Sequence, residues 1–182
     1  MPRLLWIDDD GPERFMNERR RLRKARWTVE WARGLQSAVE RLAVEPFDAM
    51  LLDQMLPWPD REPGEPPDTT VEVWGGALLL WWLRRGRAPD SLGSAVVDRY
   101  AEMWGQEPTA ANRAMPVVVI SAFDDSDVRA QLLEVCDEGE GGCPFDTPVW
   151  TKPVDLDALM AFLADVRAHV EGLGGAAEGD PS

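Results

Sequence analysis

Cysteine, histidine and lysine are all scarce in this chain of 182 residues, which holds two, one and two of them. Cys136 and Cys143 have six residues between them and only His169 as a potential co-ligand. That spacing matches neither a zinc site nor the disulfide framework of a small secreted domain, so both read as ordinary cytosolic thiols. No stretch approaches the roughly 18 consecutive apolar residues that a membrane span needs. The first residues run straight into a strand-like segment ending in acids, which is not the pattern of a signal peptide. The expectation is a cytoplasmic protein of one domain, with no membrane partner.

Positive charge is scarce beyond the first quarter of the chain. Up to Glu45 there are 10 basic against 8 acidic residues; from Pro46 onward there are 9 against 25, and the whole carries a net charge of −14. Direct contact with nucleic acid is not expected, because phosphate binding needs a large basic footprint. The one basic run, Arg19 to Arg26, reads as wrapping around a helix as a solvated face. Its alternative is a docking patch for an acidic partner. Hydrophobic residues make up 45% and charged ones 29%, an ordinary balance for a folded domain able to bury a core.

Five apolar, β-rich runs alternate with helical patterns, which argues for an α/β fold with a parallel sheet. They are Arg3 to Ile7, Trp27 to Ala32, Phe47 to Leu52, Pro116 to Ile120 and Pro148 to Thr151. Helices are expected from about Pro12 to Lys24, from Gly34 through Val44, and over Gly75 to Arg85. A last helix is expected from Asp155, a good N-cap, to Val170, with Leu156, Leu159, Met160, Leu163, Val166 and Val170 on one face. Pro57 to Asp68 reads as a loop, being loaded with proline, glycine and acids. Gly86 to Met115 is an added segment, with Ser91 to Trp104 patterned as one extra helix through Leu92, Val96, Tyr100 and Met103. Nine tryptophans include Trp74, Trp81 and Trp82 near the third helix. They read as core against the inserted segment, with a tryptophan-rich partner surface as the alternative.

Each run ends on a group that can do chemistry, apart from the second. Asp8-Asp9-Asp10 follows the first, Asp53 the third, Ser121 the fourth and Lys152 the fifth. In a parallel α/β sheet the C-terminal strand ends share one edge, so these residues would converge there. Crowded carboxylates need a counter-ion, and a small set of hard oxygen ligands suits Mg²⁺. A carboxylate facing the ion can attack phosphorus, while an ammonium and a hydroxyl neutralise the transferring oxygens. A lysine here is notable in a chain that otherwise prefers arginine: a compact ammonium suits one phosphoryl oxygen better than a guanidinium fork.

The segments Leu4 to Asp10, Phe47 to Pro57, Val117 to Ala122 and Thr151 to Pro153 together resemble the receiver domains of bacterial response regulators. The resemblance implies a flavodoxin-like, doubly wound fold whose five-stranded parallel sheet has the order 2-1-3-4-5, with an insertion before the fourth strand. It implies a single receiver domain over residues 1–171, with insertions at about 58–72, 86–115 and 137–147 and a flexible tail at 172–182. It further implies a two-component signalling protein, not an enzyme with a separate substrate, phosphorylated on Asp53 by a histidine kinase or phosphotransfer protein. Asp9, Asp53 and the Met55 backbone carbonyl would ligate Mg²⁺, with Asp8 acting through water. Ser121 and Lys152 would hold the phosphoryl oxygens, and the Lys152–Pro153 bond would be cis. A downstream protein target is implied, and homodimerisation is left open.

The chain also departs from that family. Val149 stands where an aromatic switch residue is usual, and the neighbouring Trp150 should point to the opposite sheet face. Nothing resembling an output domain follows the last helix, so a stand-alone or excised receiver acting by protein contact is expected. Met55 and Phe123 are bulky and apolar at positions that influence acyl-phosphate hydrolysis, which implies a long-lived phosphorylated state. Two rival readings stand beside the main one. The first is a degenerate receiver that binds a partner without phosphorylation. The second is a haloacid-dehalogenase-like phosphatase, since Asp8-Asp9-Asp10-Gly11 is similar to its D-x-D-G opening, with Asp8 as nucleophile and Asp10 as acid/base. That family also needs an acidic pair on a strand after the lysine, and it leaves Asp53 without a role.

Overall fold

Strand β1 (Arg3–Ile7) lies between β2 (Thr28–Ala32) and β3 (Ala49–Asp53), and β4 (Val117–Ser121) and β5 (Val149–Thr151) continue the sheet beyond β3. All four pairings are parallel, and the order is 2-1-3-4-5 as expected. The structure is a computed structural model that describes residues 1–58, 60, 75–88, 93–122 and 145–176.

The three central strands are buried along their length apart from Arg3, as a parallel sheet covered on both faces requires. Their side chains alternate between two cores. Leu5, Ile7, Met50, Leu52, Val117 and Val119 face one side, where they meet α2 (Leu35–Val44) and α3 (Gly75–Arg85). Leu4, Trp6, Ala49, Leu51, Val118 and Ile120 face the other. There they meet Leu22 of α1 (Met16–Lys24) and Leu159, Leu163 and Val166 of the last helix, α7 (Leu156–Ala176). Val149 packs with the first core and Trp150 with the second, so the two do point to opposite faces.

Several boundaries differ from the sequence-based expectation. Helix α1 begins at Met16, not near Pro12, because residues 12–15 form turns and Gly11 takes a φ of 82°. The basic run does not wrap the helix evenly. Arg19, Arg20, Arg23 and Lys24 line one shallow concavity with Met16, since these spacings return to one helical face. Arg21 points away and pairs with Asp157 at 2.6 Å. Helix α7 starts as expected, with Asp155 Oδ1 accepting from the Asp157 and Ala158 N–H groups at 2.9 and 3.1 Å. It runs on to Ala176, past the expected end at Val170 and into the segment expected to be a flexible tail.

Among its described residues the added segment holds three short helices in place of the single one expected: α4 (Ser94–Arg99), α5 (Ala101–Trp104) and α6 (Ala110–Arg113). Tyr100 interrupts the first two, being drawn into the core with 1% exposure. Met103 is buried in the same cluster as α2 and α3, so core packing is the reading the structure supports. Polar contacts fasten the segment as well. Asn112 Nδ2 donates to the Leu42 and Glu45 carbonyls at 2.8 and 2.7 Å, and its Oδ1 accepts from Phe47 N at 2.9 Å. Trp82 Nε1 donates to the Gln106 carbonyl at 2.9 Å, and the buried Arg84 donates to the Arg113 and Met115 carbonyls. Leu92, Trp74, Phe123, Cys136, Cys143, most of the 58–72 stretch and the 137–147 insertion up to residue 144 lie outside the described residues. Among the described residues no helix is long and apolar enough to cross a membrane.

Candidate functional site

Strand register brings the chemical residues together. Ile7 pairs with Leu52, so the residues that follow them, Asp8 and Asp53, are neighbours. Asp53 pairs with Ile120, which sets Ser121 one step beyond. Ser121 pairs with Thr151, which sets Lys152 one step beyond that. Three hydrogen bonds extend the ladder past the strands: Asp8 N to Ala32 O at 3.1 Å, Gln54 N to Ile120 O at 2.9 Å and Lys152 N to Ser121 O at 2.7 Å. The expected site residues therefore meet at one sheet edge, at the reversal of strand order between β1 and β3. The Lys152–Pro153 peptide bond is cis, as expected.

Two buried carboxylates share one cation. Lys152 Nζ donates to Asp53 Oδ2 at 2.8 Å and to Asp8 Oδ2 at 3.1 Å. Each aspartate gives its other oxygen to the backbone N–H two residues on: Asp8 Oδ1 accepts from Asp10 N at 3.0 Å and Asp53 Oδ1 from Met55 N at 3.4 Å. These are the local turns that aspartate favours after a strand. Carboxylate oxygens of Asp8, Asp9 and Asp53 all lie within 4.8 Å of one another, with Asp9 half-buried and the other two buried.

One ammonium does not balance that much negative charge out of water. Burial pushes the Asp53 carboxyl up to about 7, Lys152 opposes this, and Asp8 and Asp9 add to it. Burial likewise raises Asp8 above the usual carboxylate range, against the pull of Lys152. Burial works against the charge on Lys152, but Asp53 and Asp8 outweigh it and hold the ammonium above its ordinary value. A cluster of hard oxygen donors short of positive charge fits a small divalent ion such as Mg²⁺. Ser121 is buried beside this cluster at the end of β4.

Sequence reasoning missed two supports of the site. Trp31 Nε1 donates to the Asp8 carbonyl at 2.9 Å from β2, inside a cluster with Trp6 and Phe15. Gly75 and Gly76 let α3 press onto the end of β3, where the Gly76 N–H donates to the Gln54 carbonyl at 2.9 Å. A Cβ at Gly76 would stand 2.5 Å from the Asp53 carbonyl oxygen. Neither contact has a local sequence signal, since each joins residues more than twenty positions apart. As for the phosphatase alternative, no strand follows β5 among the described residues, and Asp53 sits inside the same cluster as Asp8.

No family model and no curated protein matches the sequence. Solved structures do match the fold. The receiver domain of a Francisella response regulator is 18% identical, covering 93% of this chain and 99% of that one, with a TM-score of 0.57. A signal receiver domain of a Syntrophus aciditrophicus signal transduction histidine kinase is 18% identical, covering 93% and 92%, with a TM-score of 0.56. A response regulator receiver domain protein from Methanospirillum hungatei is 14% identical, covering 94% and 98%, with a TM-score of 0.55. By its sheet order and its flanking helices, this chain has the receiver-domain fold of response regulators, the same fold that its strand-end motifs resemble.

Proposed function

We propose that this chain is a phosphoacceptor receiver domain of a two-component system, phosphorylated on Asp53 and signalling by protein contact. The observation that carries this reading is the shared ammonium, with Lys152 Nζ 2.8 Å from Asp53 and 3.1 Å from Asp8 at the edge where β1, β3 and β5 end. Asp9 and Asp53 would hold Mg²⁺ directly with the Met55 backbone carbonyl, and Asp8 through water. When bound, the ion supplies the positive charge that this carboxylate cluster lacks and that the incoming phosphoryl group makes more necessary.

The chain's own residues carry the transfer. A carboxylate oxygen of Asp53 attacks phosphorus and forms a new O–P bond. The P–N bond of a phosphohistidine donor breaks, and the histidine nitrogen leaves with the electron pair. The Lys152 ammonium moves from the carboxylate to a phosphoryl oxygen, and the Ser121 hydroxyl donates to another. Bulky Met55, two residues after Asp53, shields the acyl phosphate from water and lengthens its life. The donor is a histidine kinase or phosphotransfer protein in the cytoplasm, and the receiver unit runs to the end of α7 at Ala176, past the expected boundary at 171. The readout passes to a downstream protein or a second copy of the chain.

The test is incubation with Mg²⁺ and a small phosphodonor, followed by intact mass. The expected result is a phosphate-sized gain that Asp53→Asn abolishes. No gain with any donor would overturn the reading and leave a phosphorylation-independent binding module.

A further inference from the structure

Helix α2 begins after Gly34, a residue with no side chain to cap it. The first N–H groups of a helix lack intrahelical acceptors and must find them elsewhere. Here they find them in the segment that follows β3. The Pro57 carbonyl accepts from Leu35 N at 3.1 Å. Asp60 Oδ1 accepts from Gln36 N at 3.0 Å, and Asp60 Oδ2 from Ser37 N at 3.2 Å. Asp60 is thus an N-cap supplied from another part of the chain, and its negative charge suits the positive end of the helix.

The absence of a Cβ at Gly34 is what admits it. A Cβ there would lie 2.5 Å from Asp60 Oδ1 and 3.1 Å from the Pro57 carbonyl oxygen. On the other flank Trp58 rests against Tyr100 of the added segment, with ring centroids 5.9 Å apart. The near end of the stretch is fixed by Gln54, whose N–H donates to Ile120 and whose carbonyl accepts from Gly76. Met55, whose N–H faces Asp53 Oδ1, lies between these anchors.

We propose that Asp60 is a positioning residue for the phosphoacceptor site: by capping α2 it sets the course of the 55–58 backbone beside Asp53. This rests on the reading of Asp53 as phosphoacceptor. A cap that only stabilised α2 would leave metal affinity alone, whereas a cap that positions the loop changes it. Supporting groups around a metal site commonly alter affinity by about 10–100-fold.

The experiment titrates Asp60→Ala and Asp60→Asn with MgCl₂, read by calorimetry and tryptophan emission, beside amide hydrogen exchange of the metal-free proteins. Asp60→Ala is expected to bind Mg²⁺ about tenfold more weakly and to exchange the Met55 N–H faster, with Asp60→Asn restoring most of both. Thr109→Ala, which removes the cap that accepts from Asn112 N in α6, serves as the control. It should lower the melting temperature without touching either readout. Wild-type affinity and unchanged Met55 exchange in Asp60→Ala would overturn the proposal. A wild-type chain that binds no Mg²⁺ would count against the phosphoacceptor reading instead, and exchange at Met55 would still decide whether Asp60 holds the loop.

Discussion

Lys152 and Asp53 meet at 2.8 Å across the end of β4, with neither able to reach full solvent: their side chains are 23% and 5% exposed. The pair is held by parallel register at both β3–β4 and β4–β5. Because Asp8 shares the same ammonium, removing the lysine strands two buried acids at once.

Lys152→Met should therefore lower stability at pH 8 by about 2–4 kcal/mol in urea denaturation, since breaking a buried pair leaves uncompensated charge. At pH 5 the loss should be smaller, because both acids can take up protons. Mg²⁺ affinity should rise, as the cation competing for the same oxygens is gone. Phosphorylation should nevertheless slow by about a hundredfold, through loss of a donor to the transferring group. Weaker Mg²⁺ binding in this variant would contradict the account.

The raised acids also give a pH signature. Asp53 titrates near 7 in the folded chain against an ordinary 3.8, so between those values the folded state holds a proton that the unfolded state has released. Metal-free stability should therefore fall as pH rises through that window, by up to roughly 1.4 kcal/mol per pH unit for one such group. Asp8 is shifted in the same direction for the same reason. Denaturation between pH 5 and 8 in a chelator checks this. The decline should shrink in Asp53→Asn and be offset by Mg²⁺ at the alkaline end, and a rise in stability across the window would refute it.

Gly76→Ala opposes helix propensity to packing. Alanine in a helix is ordinarily favoured over glycine by about 1 kcal/mol. At this position its Cβ would stand 2.5 Å from the Asp53 carbonyl oxygen and 2.9 Å from Gln54 Cα, both backbone atoms. Clash should win, with a net loss of about 1–3 kcal/mol. Thermal melts decide it, and a stabilised variant would show that α3 has room to shift.

Asn112→Ala tests the anchor of the added segment. It leaves the Phe47 N–H and the Leu42 and Glu45 carbonyls without this partner inside the fold. A cost of about 2–4 kcal/mol is expected in urea denaturation. Mg²⁺ affinity should stay at the wild-type value, because Phe47 precedes β3 whereas Asp53 ends it. A large drop in affinity would mean that this anchor is coupled to the site.

Much of this was legible in the sequence. Alternation of apolar runs with helical patterns set the parallel α/β class, and the groups after four strands set the membership of the site, because both depend on spacing along the chain. Asp8, Asp9, Asp53, Ser121 and Lys152 needed only the rule that parallel strands open onto one edge. The start of α1 was misread because Pro12 suits a first helical turn, whereas Gly11 with positive φ and the turns after it delay the helix. Tyr100 looked like one more residue on a helical face, but its burial against α2 and α3 breaks that helix in two.

What only the tertiary structure decided are contacts between distant segments that no local pattern encodes. Trp31 donating to the Asp8 carbonyl, Asp60 on the end of α2 and the glycine pair of α3 against the end of β3 all depend on how separate segments come to rest against one another. The sequence by itself determined which groups would meet at the sheet edge, since the C-terminal ends of parallel strands open onto one side; the strand order was what the receiver-domain resemblance implied, and the register came from the folded sheet. How the β3 loop and the buried charges are held there was left to packing, where distance and burial, not spacing, set the energies.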